Sequence, residues 1–173
     1  MCPEGPASYR RLVHDAERDQ DRDHVLTGST EEGPALRDAA ATVSRVAADE
    51  AAAVEARERY RAGALPSLEP DATVRPHLAP GELLHGLRTS AILRAPGDDR
   101  ALGYGGTLYL TSHRLLHIGQ VTVNAHLTDI VESSLAGERL LITLRDGEGL
   151  ILDVDRPRLL RTEIAAAMRG ARS

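Results

Sequence analysis

The segment GGTLYLTSHRLLHIG (residues 105–119) decides the fold of this chain. Two apolar runs flank the polar residues 111–113, and glycines stand at both ends of the segment. An apolar run, a polar turn and a second apolar run predict two antiparallel strands joined as a hairpin. The expected core residues of this hairpin are Leu108, Leu110, Leu116 and Ile118.

The same segment contains two histidines, His113 and His117, whose spacing suggests a metal site. Histidines four residues apart share one face of a helix, as in zinc sites of the H-E-x-x-H type. Here position 114 is arginine rather than glutamate, and the flanking runs favour strands. In a strand four residues span ~13 Å, which is too far for both rings to bind one ion. We therefore predict a turn histidine and a strand histidine, with no metal or cofactor.

The sequence on both sides continues the strand pattern. Apolar and polar residues alternate in VTVNAHL (121–127), and Asp146-Gly147 separates two apolar runs in 139–155, as in a tight hairpin. With the segments 83–94 and 129–137, this gives about seven short strands between residues 83 and 155. Short strands at such regular spacing predict an antiparallel sandwich or barrel.

The C-terminal residues change to a helical period. Leu160, Ile164 and Met168 lie at i, i+4 and i+8, which places them on one apolar stripe. Asp155 is a candidate N-cap, and Pro157 suits the first helical turn. A single amphipathic helix after seven strands is expected to cover an open end of the sheet structure.

The chain before the strands divides into three segments. Residues 1–33 are acidic and are expected to form a partly disordered arm. Residues 34–64 are rich in alanine, glutamate and arginine, which predicts one long helix. Residues 65–80 contain four prolines and are interpreted as a linker to a domain over 81–170.

The long helix carries apolar residues at spacings of three and four, interrupted by Glu50 and Arg57. This stripe allows two interpretations, packing on the chain's own domain or association with a second molecule. A long alanine-rich stripe favours association, which would make the chain a homo-oligomer or an assembly element. The candidate association face is Leu36, Ala39, Val43, Val46, Ala53 and Tyr60.

Composition limits the function classes. All 21 basic residues are arginine and there is no lysine, phenylalanine or tryptophan, which resembles the codon bias of a GC-rich bacterial genome. Residues 1–73 hold 9 arginines and 15 acidic residues, and residues 74–173 hold 12 and 11. Neither half has the basic excess of a nucleic-acid binder. The single cysteine, Cys2, and the absence of an apolar run of ~18 residues favour a cytoplasmic protein.

The order of these features resembles a GRAM or bacterial pleckstrin-homology-like domain over residues 78–170. PGELLHG (80–86) resembles the opening of the first strand in that family, and a Gly-x-Leu-Tyr-Leu-Thr-x-x-Arg-Leu segment resembles its central hairpin. The chain departs from the family pattern at His117-Ile118, where an aromatic residue is common, and in a last helix without tryptophan. The matching positions are Gly106, Leu108, Tyr109, Leu110, Thr111, Arg114, Leu115, Asp129 and Ile130.

The resemblance implies a non-enzymatic binding module. Many members bind proteins, and others bind membrane lipids through basic residues between the first two strands. Here that loop (95–106) has one arginine, Arg100, beside two aspartates, which favours a protein partner over an anionic lipid. We therefore expect an adaptor that docks a protein and self-associates through its helix, with peripheral membrane recognition as the alternative. The candidate partner or lipid contacts are Arg88, Arg94, Arg100 and Arg114.

Overall fold

The computed structural model describes residues 34–61, 65–95 and 103–171, without the side chains of residues 34–37. The predicted acidic arm over 1–33, which includes Cys2, lies outside the described residues. So do residues 62–64, at the end of the predicted helical segment, and the loop position Arg100. The described residues belong to one compact unit.

The described part of the chain contains seven strands between two long helices, which confirms the predicted α+β fold. Alanine, glutamate and arginine, all good helix formers, make up most of the N-terminal helix, α1. The elements are α1 (Pro34–Arg61), β1 (Leu84–Arg94), β2 (Tyr104–Thr111), β3 (Arg114–Gly119), β4 (Thr122–His126), β5 (Ile130–Ala136), β6 (Arg139–Leu144), β7 (Gly149–Val154) and α2 (Pro157–Gly170).

All neighbouring strands are antiparallel, in the order β4-β3-β2-β1-β7-β6-β5. Strand β1 belongs to both halves of the sheet, because it pairs with β2 from Leu84 to Ile92 and with β7 from Ser90 to Arg94. The register shifts at both ends of β1, and such irregularities bend a strand. The sheet can therefore fold over on itself.

One core fills the space inside the folded sheet. Buried residues of β1–β4 and of β5–β7 belong to the same cluster, so the two halves face each other. Helix α2 closes this core with Leu160 and Ile164, as the apolar stripe predicts; Met168 of the stripe is half-buried against the core, and Ala167, outside the stripe, is buried. The largest fully buried side chains in the cluster are Ile92, Leu110, Leu115, Leu127, Ile130, Leu140, Ile142, Leu150, Leu152 and Leu160.

The central hairpin forms as predicted, but its core residues are divided between two faces. Leu108 pairs with His117, so these side chains share the inner face of the sheet. Tyr109 pairs with Leu116 on the opposite face. Leu116 is buried and Ile118 is half-buried, and both belong to a second cluster rather than to the main core. The prediction listed them with Leu108 as one set of core residues, and the register of β2 with β3 places them on the other face.

The second cluster forms because residues 65–80, hereafter the strap, cover the outer face of β1–β3. The strap contains the four prolines of the predicted linker, and its Val74 is fully buried against Leu84, Tyr109 and Leu116. Leu68 N–H donates to the carbonyl of Leu84 at 2.7 Å, which joins the strap to the start of β1. Proline suits such an edge segment because it lacks the N–H that an interior strand needs.

Gly106 allows the close approach of β2 and β3. It pairs with Gly119, and a Cβ atom at Gly106 would lie 2.7 Å from Cε1 of His117 and 2.5 Å from the carbonyl oxygen of Ile118. Both distances are well below van der Waals contact. The ring of His117 therefore occupies the space that a side chain at position 106 would need.

We predict that Gly106→Ala lowers the free energy of unfolding by about 1–3 kcal/mol, because overpacking forces the strands or the imidazole to move. Gly105→Ala is the matched control on the same strand, since a Cβ atom there meets nothing within 4 Å. Its effect is expected to stay within about 0.5 kcal/mol. Urea unfolding of both variants measures this, and equal stabilities would contradict the assignment.

Candidate functional site

A contact from α1 caps the first turn of α2. The backbone N–H groups of Arg158 and Leu159 donate to the two carboxylate oxygens of Asp49, at 2.8 and 3.0 Å. Asp49 is 4% exposed, although it comes from a helix more than a hundred residues earlier in the sequence. The prediction that Asp155 caps α2 is wrong, because Arg156 occupies the N-cap position with a left-handed φ of 53° and makes no side-chain cap.

The C-terminal half of α1 packs against α2. Asp49, Ala53, Ala56 and Tyr60 follow spacings of four, three and four, and all four are buried. Ala53 and Tyr60 belong to the candidate association face, but here they contact the chain's own domain. The sequence placed them correctly on an apolar stripe, yet the partner of this half of the stripe is α2.

The face of α1 that points away from α2 is exposed and apolar. Its outer face, as we name it, comprises five exposed residues at spacings of three and four, and Val43 and Val54 are 69% and 49% exposed. Of the remaining candidate positions, Ala39 is exposed, Val46 is half-buried and the side chain of Leu36 lies outside the description. The residues of the outer face are Ala40, Val43, Ala47, Ala51 and Val54.

The candidate arginines do not form one cluster. Arg88 makes an ion pair of 2.7 Å with Glu163 on α2, and both side chains are nearly buried. Arg114 donates to both carboxylate oxygens of Glu82 at 2.9 Å, on the strap side of the sheet. Arg94 lies exposed at the end of β1. Two of the four positions therefore have internal structural roles, and a partner contact at any of them stays a prediction.

The Glu82 carboxylate joins three parts of the fold. It accepts hydrogen bonds from Arg114, from the Thr111 hydroxyl at 2.6 Å and from the backbone N–H of Ala79 at 2.9 Å. Burial raises the pKa of Glu82, but these hydrogen bonds outweigh it and hold the pKa below its ordinary value of 4.5. The charged carboxylate therefore stabilises the junction of the strap with the central hairpin.

Glu163 shows the opposite balance. Burial raises its pKa above the ordinary value of 4.5, and the charge and hydrogen bond of Arg88 only partly oppose this. The nearby charge of Asp49 raises the pKa further. The charged form of Glu163 is therefore less favoured in the folded chain than in the unfolded chain, although its ion pair with Arg88 is short.

The two histidines of the central hairpin lie in different environments, as predicted. His113 is exposed at the turn, and His117 is buried in β3, where its Nδ1 lies 3.2 Å from the carbonyl oxygen of Val121. His113 instead borders, with His85 and His126, an open groove of about 690 Å³ beside the C-terminal end of α2. Within the described ranges, no three His, Cys, Asp or Glu side chains are arranged to hold a metal ion.

Comparison with known proteins adds limited information. No family model and no curated protein matches this chain. The C-terminal domain of an unknown protein from Leishmania infantum is 18% identical, with a TM-score of 0.42, over 57% of this chain and 91% of that chain. The Vps36 N-terminal PH domain is 18% identical, with a TM-score of 0.38, over 55% of this chain and 83% of that chain. The fold assignment rests on the strand order and pairing of this chain.

Among the described residues, no helix is both long and apolar enough to cross a membrane.

The sequence did not reveal the role of Asp49. An aspartate in the middle of an amphipathic helix usually faces solvent, and nothing local marks this one as a cap for a distant helix. The only available signal was its position on the same stripe as Ala53 and Tyr60, where a charged residue would be buried.

We predict that Asp49→Ala lowers the free energy of unfolding by about 1–2 kcal/mol, as expected for loss of an N-cap. It should also increase hydrogen exchange of the α1 amides, because this contact holds α1 on α2. Asp38→Ala, at an exposed position of the same helix, is the control and should change stability by less than about 0.5 kcal/mol. Unchanged exchange in Asp49→Ala would show that the cap does not hold α1.

Glu82 and Glu163 predict opposite dependences of stability on pH. The stability that Glu82 contributes is present above pH 4.5 and is lost as the pH falls through its lowered folded-state pKa. The contribution of Glu163 is present below pH 4.5 and is lost as the pH rises through its raised folded-state pKa.

Between about pH 3 and pH 7, the stability difference between the unmodified chain and Glu82→Gln should therefore increase. The difference between the unmodified chain and Glu163→Gln should decrease over the same range. Urea unfolding at a series of pH values measures both, and each variant serves as the control for the other. Two differences that change in the same direction would contradict the assignment.

Proposed function

We propose that this chain is a non-enzymatic binding module in which the sheet domain holds α1 as a docking helix, and that the outer face of α1 joins two copies of the chain. The observation that carries the proposal is the contrast within α1. Its C-terminal half is fixed on α2 through Asp49, Ala53 and Tyr60, whereas Val43 and Val54 remain exposed. A surface helix that served only its own domain would have no need of the second apolar face.

The chemistry of the outer face suits a second copy. Three of its five residues are alanine, which lets two helix backbones approach closely, and the two valines supply apolar contact area. A helix face that meets its own copy across a two-fold axis needs no complementary partner. Anchoring at Asp49 also reduces the conformational freedom that α1 would lose on association.

Recognition of an anionic membrane remains the alternative function, and it has less support. It depended on the four candidate arginines, but Arg88 and Arg114 already have buried carboxylate partners. A phospholipid headgroup would have to compete with Glu163 and Glu82 for these charges. Co-flotation with anionic but not neutral vesicles at low salt, where electrostatic attraction is strongest, would favour this alternative.

We predict that Val43→Glu lowers the average mass of the chain in solution, because a charge would be buried in the interface. Sedimentation velocity over a concentration series measures the mass. Ala41→Glu is the matched control, since it adds the same charge at an exposed position of α1 outside the outer face. If the unmodified chain is a monomer at every concentration, or if both variants dissociate equally, the proposed interface is wrong.

A further inference from the structure

A groove between α1 and α2 gathers four arginines. Arg57 and Arg61 line it from α1, and Arg161 and Arg169 line it from α2. The groove has a volume of about 490 Å³, and its other lining residues are Thr162 and Ala165. We name these four residues the arginine groove. None of them was a candidate contact in the sequence, because only the pairing of the two helices brings them together.

The acidic residues near the groove do not neutralise it. Glu58 makes an ion pair of 2.9 Å with Arg61. Glu50 lies 4.0 Å from Arg57 and closer, at 3.4 Å, to Arg158. Arg161 is exposed and makes no ion pair or hydrogen bond within the described residues. Arg61 and Arg169 have interactions of their own, so the positive charge that the groove offers to a ligand is mainly that of Arg57 and Arg161.

Helix dipoles account for only part of this charge. Asp49 meets the start of α2, and Arg61 and Arg169 lie near the C-terminal ends of the two helices, so α1 and α2 run in the same direction. Both C-terminal ends therefore lie on the same side, where cations are favoured. That explains Arg61 and Arg169, which lie in the last turns. Arg57 and Arg161 lie further from these ends, so the helix dipoles do not account for their positive charge.

The geometry favours separate carboxylates over one compact anion. Arg161 and Arg169 are eight residues apart on α2, which places them ~12 Å apart along the helix axis. Between the arginines, Ala165 offers a methyl group, and the Thr162 hydroxyl already donates to the carbonyl of Arg158. The floor thus offers no free donor that would hold a phosphate.

We propose that the arginine groove binds a carboxylate-rich segment of a partner protein, laid along α2 with its acidic side chains paired to the guanidinium groups. Arginine binds carboxylates with two parallel hydrogen bonds, which suits it to this recognition. The inference rests on the proposed function as a protein-binding module and names the chemistry of its second partner. It places that partner on the helices rather than in the loop between β1 and β2.

The test is fluorescence anisotropy with a labelled peptide in which glutamates alternate with alanine, and the same peptide with glutamine as its neutral counterpart. We expect the full chain to bind the glutamate peptide in a salt-dependent way. Arg57→Gln with Arg161→Gln should weaken binding about tenfold or more. Arg45→Gln with Arg139→Gln removes the same charge from exposed positions elsewhere and should leave binding nearly unchanged. Circular dichroism of both double variants checks that they are folded.

Three outcomes would overturn the inference. Equal weakening in both double variants would show that only net charge matters. Groove-dependent binding of inorganic pyrophosphate or of phosphatidylserine vesicles, without binding of the glutamate peptide, would assign the groove to a different ligand. Absence of binding to all three probes would show that the arginine groove is not a binding site for anions. In each case, dissociation of the chain by Val43→Glu but not by Ala41→Glu would still support self-association, so the two proposals fail separately.

Discussion

The helical surface of this protein depends on one contact, the hydrogen bonds from the first turn of α2 to the carboxylate of Asp49. The free N–H groups and the positive end of a helix both favour a carboxylate at this position. Because Asp49 lies in the middle of α1, the same contact fixes the direction of α1 and the residues it buries. Ala53 and Tyr60 are turned inward, and Val43 and Val54 are left in solvent.

Two ion pairs lie on opposite faces of the sheet, and they limit which arginines are available to a partner. Arg114 and Glu82 hold the strap on the outer side, and Arg88 and Glu163 connect the inner side to α2. Both arginines were candidate partner or lipid contacts in the sequence. Since breaking a buried pair leaves an uncompensated charge, each is a poor candidate for an exchangeable contact. Arg57 and Arg161, on the two helices, are exposed by contrast.

The strands were predictable because their signals are local. Alternation, turn residues and the pair Asp146-Gly147, whose glycine has a φ of 86°, act over a few residues and predicted the right number of strands. The faces of β3 were not predictable from alternation, because both faces carry apolar residues: Leu115 faces the main core, and the strap covers Leu116 and Ile118 on the other face. The capping role of Asp49 and the arginine groove depend on helix pairing across about a hundred residues, and the only signal of it in the sequence is the position of Asp49 on the same stripe as Ala53 and Tyr60.

Parallel packing of α1 and α2 sets a constraint that bears on both proposed contacts. Two helices aligned in one direction place their like dipole ends together, which is less favourable than an antiparallel pair. Asp49 offsets this at the N-terminal end of α2, and Arg61 and Arg169 offset it at the C-terminal ends. The positive charges of Arg57 and Arg161 are additional to those that offset the helix dipoles. An acidic partner would satisfy this excess without covering Val43, so both surfaces of α1 could be occupied at once.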